Sequence, residues 1–368
     1  MARALIIGAG GIGRGFVPWI LPDFEIDLLD ANAEIVAGIE DQGFFTSWMS
    51  DGTELRELVV RPLHVTTDIA DLELADYDIA FISVGPRNVS SLPRAVGQLQ
   101  CPVFSLENDP ATVEWIRELY DVQNVMFGVP DVIASSTASP RNLRTDPLSL
   151  HTENGIMYLQ DAPCVSDALK SLLPDVVWLP VERLNAEWDA KLYIHNTPHC
   201  IAAFLGYQAG VEYLHQALAR PAIAHIIDGV VDEILGALKV ATKHDHDFLE
   251  SYAKKEVRRF TNPHLFDPIL RVAREPIRKL HPSGRLMGAL RLCLTSGIEP
   301  VYLTAGIAAG LSYANPGDKD HAVMALLSDF GVPAFMQFHL SLPPDALESE
   351  YVAASFPKAM SYLNRVLL

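Results

Sequence analysis

Residues 191–199 (KLYIHNTPH) hold the densest chemistry in the chain. At about 100° per residue along a helix, His195 falls about 40°, His199 about 80° and Asn196 about 140° from Lys191. One face of one helix would thus carry an amine, two imidazoles and a carboxamide. Such a face offers a proton acceptor and hydrogen-bond donors for a substrate hydroxyl or carbonyl. The same residues also fit a plain surface helix. Glu187 stands four residues before Lys191, the spacing of a solvated ion pair, and the imidazoles could be hydrogen-bonded core. Two features favour chemistry. Pro198 falls inside the apolar-periodic run 181–210. There it removes a backbone donor, frees the Ile194 carbonyl and disfavours helical backbone at Thr197, so a kink is expected that turns Asn196 and His199 toward a cleft. The second feature is the start of the chain.

Residues 4–7 (ALII) are a short apolar run, the mark of a buried parallel strand. Gly8-Ala-Gly10-Gly11-Ile12-Gly13 follows, then an apolar-periodic segment to Ile20 that predicts a helix. In a dinucleotide-binding turn the first glycine permits the sharp bend. The second lets backbone approach a pyrophosphate, and the third lets helix pack on strand. The helix N-terminus would face the phosphates. Residues 24–29 predict the second strand, closed by Asp30, where a carboxylate accepts ribose hydroxyls and repels a 2′-phosphate. Ala31-Asn32 offers no basic pocket, so NAD is favoured over NADP.

Asn32 is expected to cap a helix through Glu40. Residues 44–67 alternate around Asp51-Gly52, which predicts a small antiparallel excursion. Further buried strands are expected at 78–84, ending at Val84-Gly85, at 103–106, ending at Glu107-Asn108, and at 125–128. Ligands of open parallel sheets lie beyond the carboxyl ends of strands, so these four residues join the candidate nucleotide site. Capping of the following helix explains Glu107 and Asn108 equally well. Residues 149–160 alternate around Asn154-Gly155, a hairpin pattern, and 176–179 is one last strand. Helical periodicity then runs to the C-terminus. The expected architecture is an α/β Rossmann domain, 1–181, with small β insertions. An all-α domain, 182–368, follows and carries the candidate active site at its start, facing the nucleotide across a cleft.

Composition narrows the partners. The chain has 368 residues, 49% hydrophobic and 20% charged, with net charge −18. It can build a sizeable core, and its charge disfavours nucleic acid and anionic membranes. No apolar run is long enough to span a bilayer. Four scattered cysteines without ligand spacing and a start without a signal peptide predict reduced thiols, a cytoplasmic protein and no metal. The partner is then a small molecule, and the chain a monomer or small homo-oligomer. Lys243-His-Asp-His-Asp247 resembles a metal tract but lacks a partner cluster. The basic group Arg271, Arg274, Arg278, Lys279 and Arg285 stands out in so acidic a chain. Arg274 and Arg278, four apart, would share a helix side. Arg285 follows the His281-Pro-Ser-Gly284 turn, which could fold it back. The group suits an anion pocket or ion pairing with neighbouring acids.

The chain resembles the polyol-specific long-chain dehydrogenases, the mannitol dehydrogenase family, nearly end to end. The likeness rests on GAGGIGRGF (8–16), SVGP (83–86), LEN (106–108), Lys191-x4-Asn196-x2-His199, RRFTNP (258–263), REPIRKL (274–280) with Arg285-Leu286, and GIAAG (306–310). The resemblance implies metal-independent, NAD-linked oxidation of a polyol, such as a hexitol phosphate, to its ketose. It gives Lys191 the role of general acid/base, with Asn196 and His199 positioning the reacting oxygen. A lysine in that role must lose its proton near neutral pH, well below an ordinary value of about 10.4. The chain departs from the family pattern: an asparagine that some members use to share the oxyanion site is not recognisable, and Pro198 stands before His199 where a small residue, often Gly, is usual. The family's Asp-Arg pair after the fifth strand has no counterpart at Asp131-Val132, and a glutamate of some members, three before the lysine, is Trp188 here. An unphosphorylated-polyol dehydrogenase, a hexuronate reductase and a non-catalytic NAD sensor are the alternatives. Lys279 and Arg285, with Arg278 and Arg274, are the candidate holders of a substrate phosphate.

Overall fold

A computed structural model describes residues 1–367, the side chains of Val257, Arg258 and Leu265 excepted, so the Arg258 side chain of the 258–263 motif lies outside the described residues. Two compact units divide the chain: Met1–Glu187 with His264–Phe266, and Trp188–Pro263 with Asp267–Leu368.

The first unit is an α/β unit whose strands form where apolar runs are bounded by turn residues. They are β1 (Ala2–Ile7), β2 (Phe24–Leu29), β3 (Phe45–Ser50), β4 (Leu55–Val60), β5 (His64–Thr66), β6 (Ile79–Ile82), β7 (Val103–Ser105), β8 (Val125–Asp131), β9 (Leu150–Glu153), β10 (Ile156–Gln160) and β11 (Val176–Leu179). Eight of them make one sheet, ordered β11-β10-β8-β7-β6-β1-β2-β5. Neighbours pair in parallel except β8 and β10. From β5 to β8 the order is the 3-2-1-4-5-6 of a dinucleotide-binding sheet, with its switch point between β1 and β6. β1 and β6 are buried on both faces, Ala4, Ile6, Ile79 and Phe81 on one and Leu5, Ile7, Ala80 and Ile82 on the other. Asn32 caps the helix Ala33–Gln42 as its side chain predicts.

Local expectations fail in two places. Residues 149–160 do not form a hairpin. β9 pairs in parallel with β3, in a separate three-stranded sheet β4-β3-β9, while β10 pairs with β8. Asn154-Gly155 is instead the crossing between sheets: Asn154 N–H bonds to the Ser50 carbonyl at 2.8 Å. A Cβ on Gly155 would meet the Asp131 carbonyl. Alternation therefore marked two strands correctly but not their partners, because pairing is a long-range choice. After the glycine turn, no regular helix forms. Residues 11–16 are turns and only Val17–Ile20 is a short 3-10 helix. Phe16 and Val17 N–H groups converge on the Ile12 carbonyl, each at 3.0 Å, and Pro18 has no N–H with which to continue.

The second unit contains no strand among the described residues. Helical backbone runs from Val181 to Gln208, but in three registers: α over Val181–Ala190, π over Lys191–Asn196, and α again over Thr197–Gln208. The break expected at Thr197–Pro198 is absent. Thr197 keeps helical angles, φ −69° and ψ −58°. The strain is taken up one turn earlier, where the widened turn changes which carbonyl needs a donor. The Thr197 hydroxyl lies within hydrogen-bonding reach of the Leu192 carbonyl at 3.2 Å and the Arg285 carbonyl at 3.0 Å. Behind this helix, Val301–Leu311 approaches closely because Gly306 has no side chain. A Cβ there would sit 2.5 Å from Ile201. The GIAAG motif thus seats the helix that carries the candidate residues.

Candidate active site

In the first unit, the predicted nucleotide residues share the carboxyl edge of one parallel sheet. Gly8 closes β1 with φ +105°, and a Cβ on it would lie 2.5 Å from the Ser83 carbonyl. Gly10 has nothing within 4 Å of a Cβ position, so the turn is open there. Gly13 is pressed against the Gly8 carbonyl, which a Cβ would approach to 1.8 Å. Gly11 faces the Ala134 carbonyl, and Ile12 packs on the core. Asp30 ties the ends of β1 and β2 together, accepting Ala9 N–H at 2.5 Å and Asn32 N–H at 2.7 Å. Glu107 does not cap the next helix. It is buried at 4% exposure and accepts the Gly85 N–H at 2.9 Å, bracing the turn that Val84 begins. Asn108 is exposed beside it. Sequence reasoning missed Arg14. Buried beneath the turn, it donates to the Ala9 carbonyl at 2.6 Å and the Leu148 carbonyl at 2.9 Å. Burial lowers its guanidinium to about 10.

In the second unit, the π turn places four polar side chains in the protein interior. Lys191, His195, Asn196 and His199 are 4%, 3%, 6% and 8% exposed, so none belongs to a solvated face. Each imidazole is backed by a buried carboxylate. His195 Nδ1 bonds to Glu256, which Arg259 also engages. His199 Nε2 bonds to Asp267 at 3.1 Å, and Asp267 also accepts Arg271 Nε at 2.7 Å. Phe260 packs on both rings, at 5.3 Å from His195 and 5.5 Å from His199. Arg271 and His199 hold the Asp267 carboxyl below the usual range against the opposing effect of burial. Among the described residues, the Asn196 Nδ2 is buried without a hydrogen-bond partner. A donor left bare in an interior is costly unless a ligand completes it. Glu256 and Asp267 escaped sequence reasoning. Their one available signal was the i,i+4 spacing of Asp267 and Arg271.

The basic group assembles differently from expectation. Arg274 and Arg278 do not share a helix. Glu275, at φ +57°, separates the helices Ile269–Ala273 and Pro276–Leu280. Pro276 forbids a continuous helix, and Arg274 is exposed. The fold-back of Arg285 does occur. Gly284 packs on the carbonyls of Arg278 and Lys279, at 2.6 and 2.8 Å from its Cβ position. Lys279 is buried, with Nζ on the Arg274 carbonyl. Burial, with Arg285 and Arg278 nearby, holds its amine well below the ordinary lysine value. Burial also lowers Arg285 to about 10, and its Nη1 lies 3.4 Å from the Asn196 carbonyl. Glu275 answers Arg278 at 2.7 Å but is shared with Lys319. The 243–247 tract serves the backbone and ion pairs. Asp245 caps the helix His246–Phe260, His246 meets the Lys239 carbonyl and His244 pairs with Asp189 at 2.9 Å.

Residues 187–337 match the family model described as the mannitol dehydrogenase C-terminal domain. The chain is 28% identical over 361 residues to mannitol-1-phosphate 5-dehydrogenase of Caldanaerobacter subterraneus subsp. tengcongensis, covering 90% of this chain and 92% of that enzyme. It is 29% identical to the enzyme of that name from an Arthrobacter species, over 88% and 89% of the two chains. Over residues 187–337 the chain is similar to the mannitol dehydrogenase C-terminal domain, and over nearly its whole length to these enzymes. Among solved structures, Pseudomonas fluorescens mannitol 2-dehydrogenase in ternary complex with NAD and D-mannitol shares the fold. Its TM-score is 0.79 at 16% identity, over 100% of this chain and 93% of that one. A substrate-free D-sorbitol dehydrogenase gives 0.69 at 14% identity, over 99% and 94%. The family domain contains the whole buried polar set, from Lys191 through Asp267 to Arg285.

Glu107 yields a prediction. Burial raises its carboxyl from 4.5 to about 7. Between those values the folded chain keeps a proton that the unfolded chain releases. The stability it contributes is therefore full below pH 4.5 and is lost as pH rises toward 7, by up to about 3 kcal/mol. Glu107→Gln keeps an acceptor for Gly85 without the titration. Denaturant midpoints of the variant should gain on the parent between pH 5 and pH 8. Parallel curves would leave Glu107 without this role.

Proposed function

We propose that this chain is an NAD-dependent oxidoreductase that interconverts a hexitol phosphate, mannitol 1-phosphate, and its ketose, fructose 6-phosphate, with Lys191 as general acid/base and without a metal. The observation that carries this reading is the bare, buried Asn196 amide on the same π turn as buried Lys191. The first unit's edge fits a dinucleotide: the turn is open at Gly10, closed behind by Gly13, and flanked by Asp30. Gly8, Gly10, Gly11, Ile12 and Gly13 would follow the pyrophosphate, Asp30 the adenosine ribose, and Val84, Gly85, Glu107 and Asn108 the remainder. NAD would supply the acceptor for a hydride leaving the alcohol carbon.

The chain's own residues do the rest. In oxidation the Lys191 amine takes the hydroxyl proton as the carbonyl forms. In reduction its ammonium returns that proton to the nascent alkoxide. Asn196 Nδ2 donates to the oxygen as charge develops on it, a donor fixed before the reaction begins. His199 orients the reacting end of the substrate. The Arg278, Lys279 and Arg285 group supports the phosphate assignment. Three basic groups crowd one place, and Glu275, which answers Arg278, is shared with Lys319. A phosphate would relieve this repulsion, and arginine forks suit its oxygens. With net charge −18 overall, only such short-range contacts can hold a dianion.

Lys191→Ala should reduce turnover by about 10²-fold or more while leaving NADH binding, read by fluorescence titration, near parent. Near-parent turnover would return the lysine to a structural role. Arg285→Ala and Lys279→Ala should lose at least tenfold more kcat/KM on fructose 6-phosphate than on free fructose, and equal losses would remove the phosphate assignment. The parent should prefer NADH to NADPH, and Asp30→Ala should erode that preference. Because Asp30 also holds Ala9 and Asn32, NADH affinity should fall as well. Equal use of both cofactors by the parent would count against this part.

A further inference from the structure

Asp267 stands between two partners that settle how it must be occupied. One carboxylate oxygen, Oδ1, accepts Arg271 Nε at 2.7 Å. The other, Oδ2, meets His199 Nε2 at 3.1 Å. The carboxylate is 2% exposed, and Arg271 is itself half-buried. An ionised carboxylate only accepts, so His199 must carry its proton on Nε2. In the neutral ring, Nδ1 is then an acceptor, complementary to a substrate hydroxyl. Around the pair lie Phe260, His195 at 5.4 Å ring to ring, and, behind His195, Glu256 and Arg259.

We propose that Asp267 is a positioning residue that fixes His199 in its Nε2-protonated tautomer, and that Arg271 fixes Asp267. This rests on the reading above, with His199 holding the substrate through a hydroxyl beside the reacting carbon, one that the ketose keeps. The pair makes Asp267→Asn informative. Arg271 has only donors to offer, so it claims the amide oxygen of the new side chain. The amide NH2 then faces His199 and donates to Nε2. The ring must move its proton to Nδ1, and the acceptor meant for substrate becomes a donor. The Asp267→Asn, Arg271→Met double variant releases the amide. It can turn its oxygen back to His199 and restore the original tautomer.

The test has a spectroscopic and a kinetic arm on the full-length protein. With ¹⁵N-labelled histidine, the His199 resonance is assigned by its loss in His199→Gln. Parent protein should show it protonated on Nε2, Asp267→Asn on Nδ1, and the double variant on Nε2 again. In steady-state ketose reduction, Asp267→Asn should lower kcat by roughly 10²- to 10⁴-fold, with NADH binding near parent. The double variant should recover at least tenfold of that loss. A structural role predicts the reverse, since removing a second partner of a buried group compounds the damage. Parent His199 protonated on Nδ1, an unchanged tautomer in Asp267→Asn, or a double variant slower than the single would each overturn the proposal. Absence of ketose reduction in the parent would instead defeat the functional reading, and the resonance arm would still decide the tautomer.

Discussion

A charge buried in protein must be answered where it lies, and the second unit is organised by that requirement. One helical segment puts Lys191, His195 and His199 out of water within nine residues. Uncompensated, such groups would neutralise or unfold the site. Compensation comes from elsewhere in the chain. Glu256, at 0% exposure, meets His195 from 61 residues away, and Asp267 meets His199 from 68. Each acid carries an arginine of its own, Arg259 and Arg271. Removing one member of such a pair typically costs about 3–5 kcal/mol. The segment from Glu256 to Arg271 is therefore held against the site helix by electrostatic need as much as by apolar packing. Phe260 packs against both rings.

The widened turn follows from the same demand. A regular α-helix spaces Lys191, His195 and His199 at fixed angles and leaves the Ile194 carbonyl without its donor because of Pro198. A π turn relieves the mismatch by shifting the register and rotating the side chains that follow. Residues 191–196 hold a register costly in an ordinary helix, and the packed surroundings keep it. Gly306 admits Ile201, Gly310 admits Phe204, and Thr197 reaches the Arg285 carbonyl. Local strain of this kind persists where its environment over-determines it.

What the sequence disclosed and what it hid divide along chain distance. The glycine turn, the strand ends at Asp30, Gly85 and Glu107, and the Asn32 cap depend on residues a few positions apart, and they were legible. So was the fold-back of Arg285, because Gly284 stands in the turn that makes it. The partners were not legible. Nothing in the alternation of 149–160 says that β9 joins β3 while β10 joins β8. The carboxylates behind the imidazoles lie more than sixty residues on, with no periodicity linking them. The helical wheel failed for a different reason. It assumes about 100° per residue, and the register changes in the very turn that carries Lys191, His195 and Asn196. Arg274 was misplaced because its four-residue spacing to Arg278 ignored Pro276, which ends one helix and begins another.

The basic group and the reactive turn are joined through backbone. Arg285 touches the Asn196 carbonyl, and its own carbonyl meets Thr197, the residue that follows Asn196. These two links run between the start of the helix Arg285–Thr295 and the end of the π turn, so an anion drawn to Arg285 bears on the peptide that carries Asn196. Lys279, one helix back, is pinned by its own bond to Arg274 and by Gly284 packed against its carbonyl. Under the proposed function, a phosphate held by Arg285 would act on the Asn196 peptide through these links, so its remote binding energy would be expressed in kcat as well as in KM.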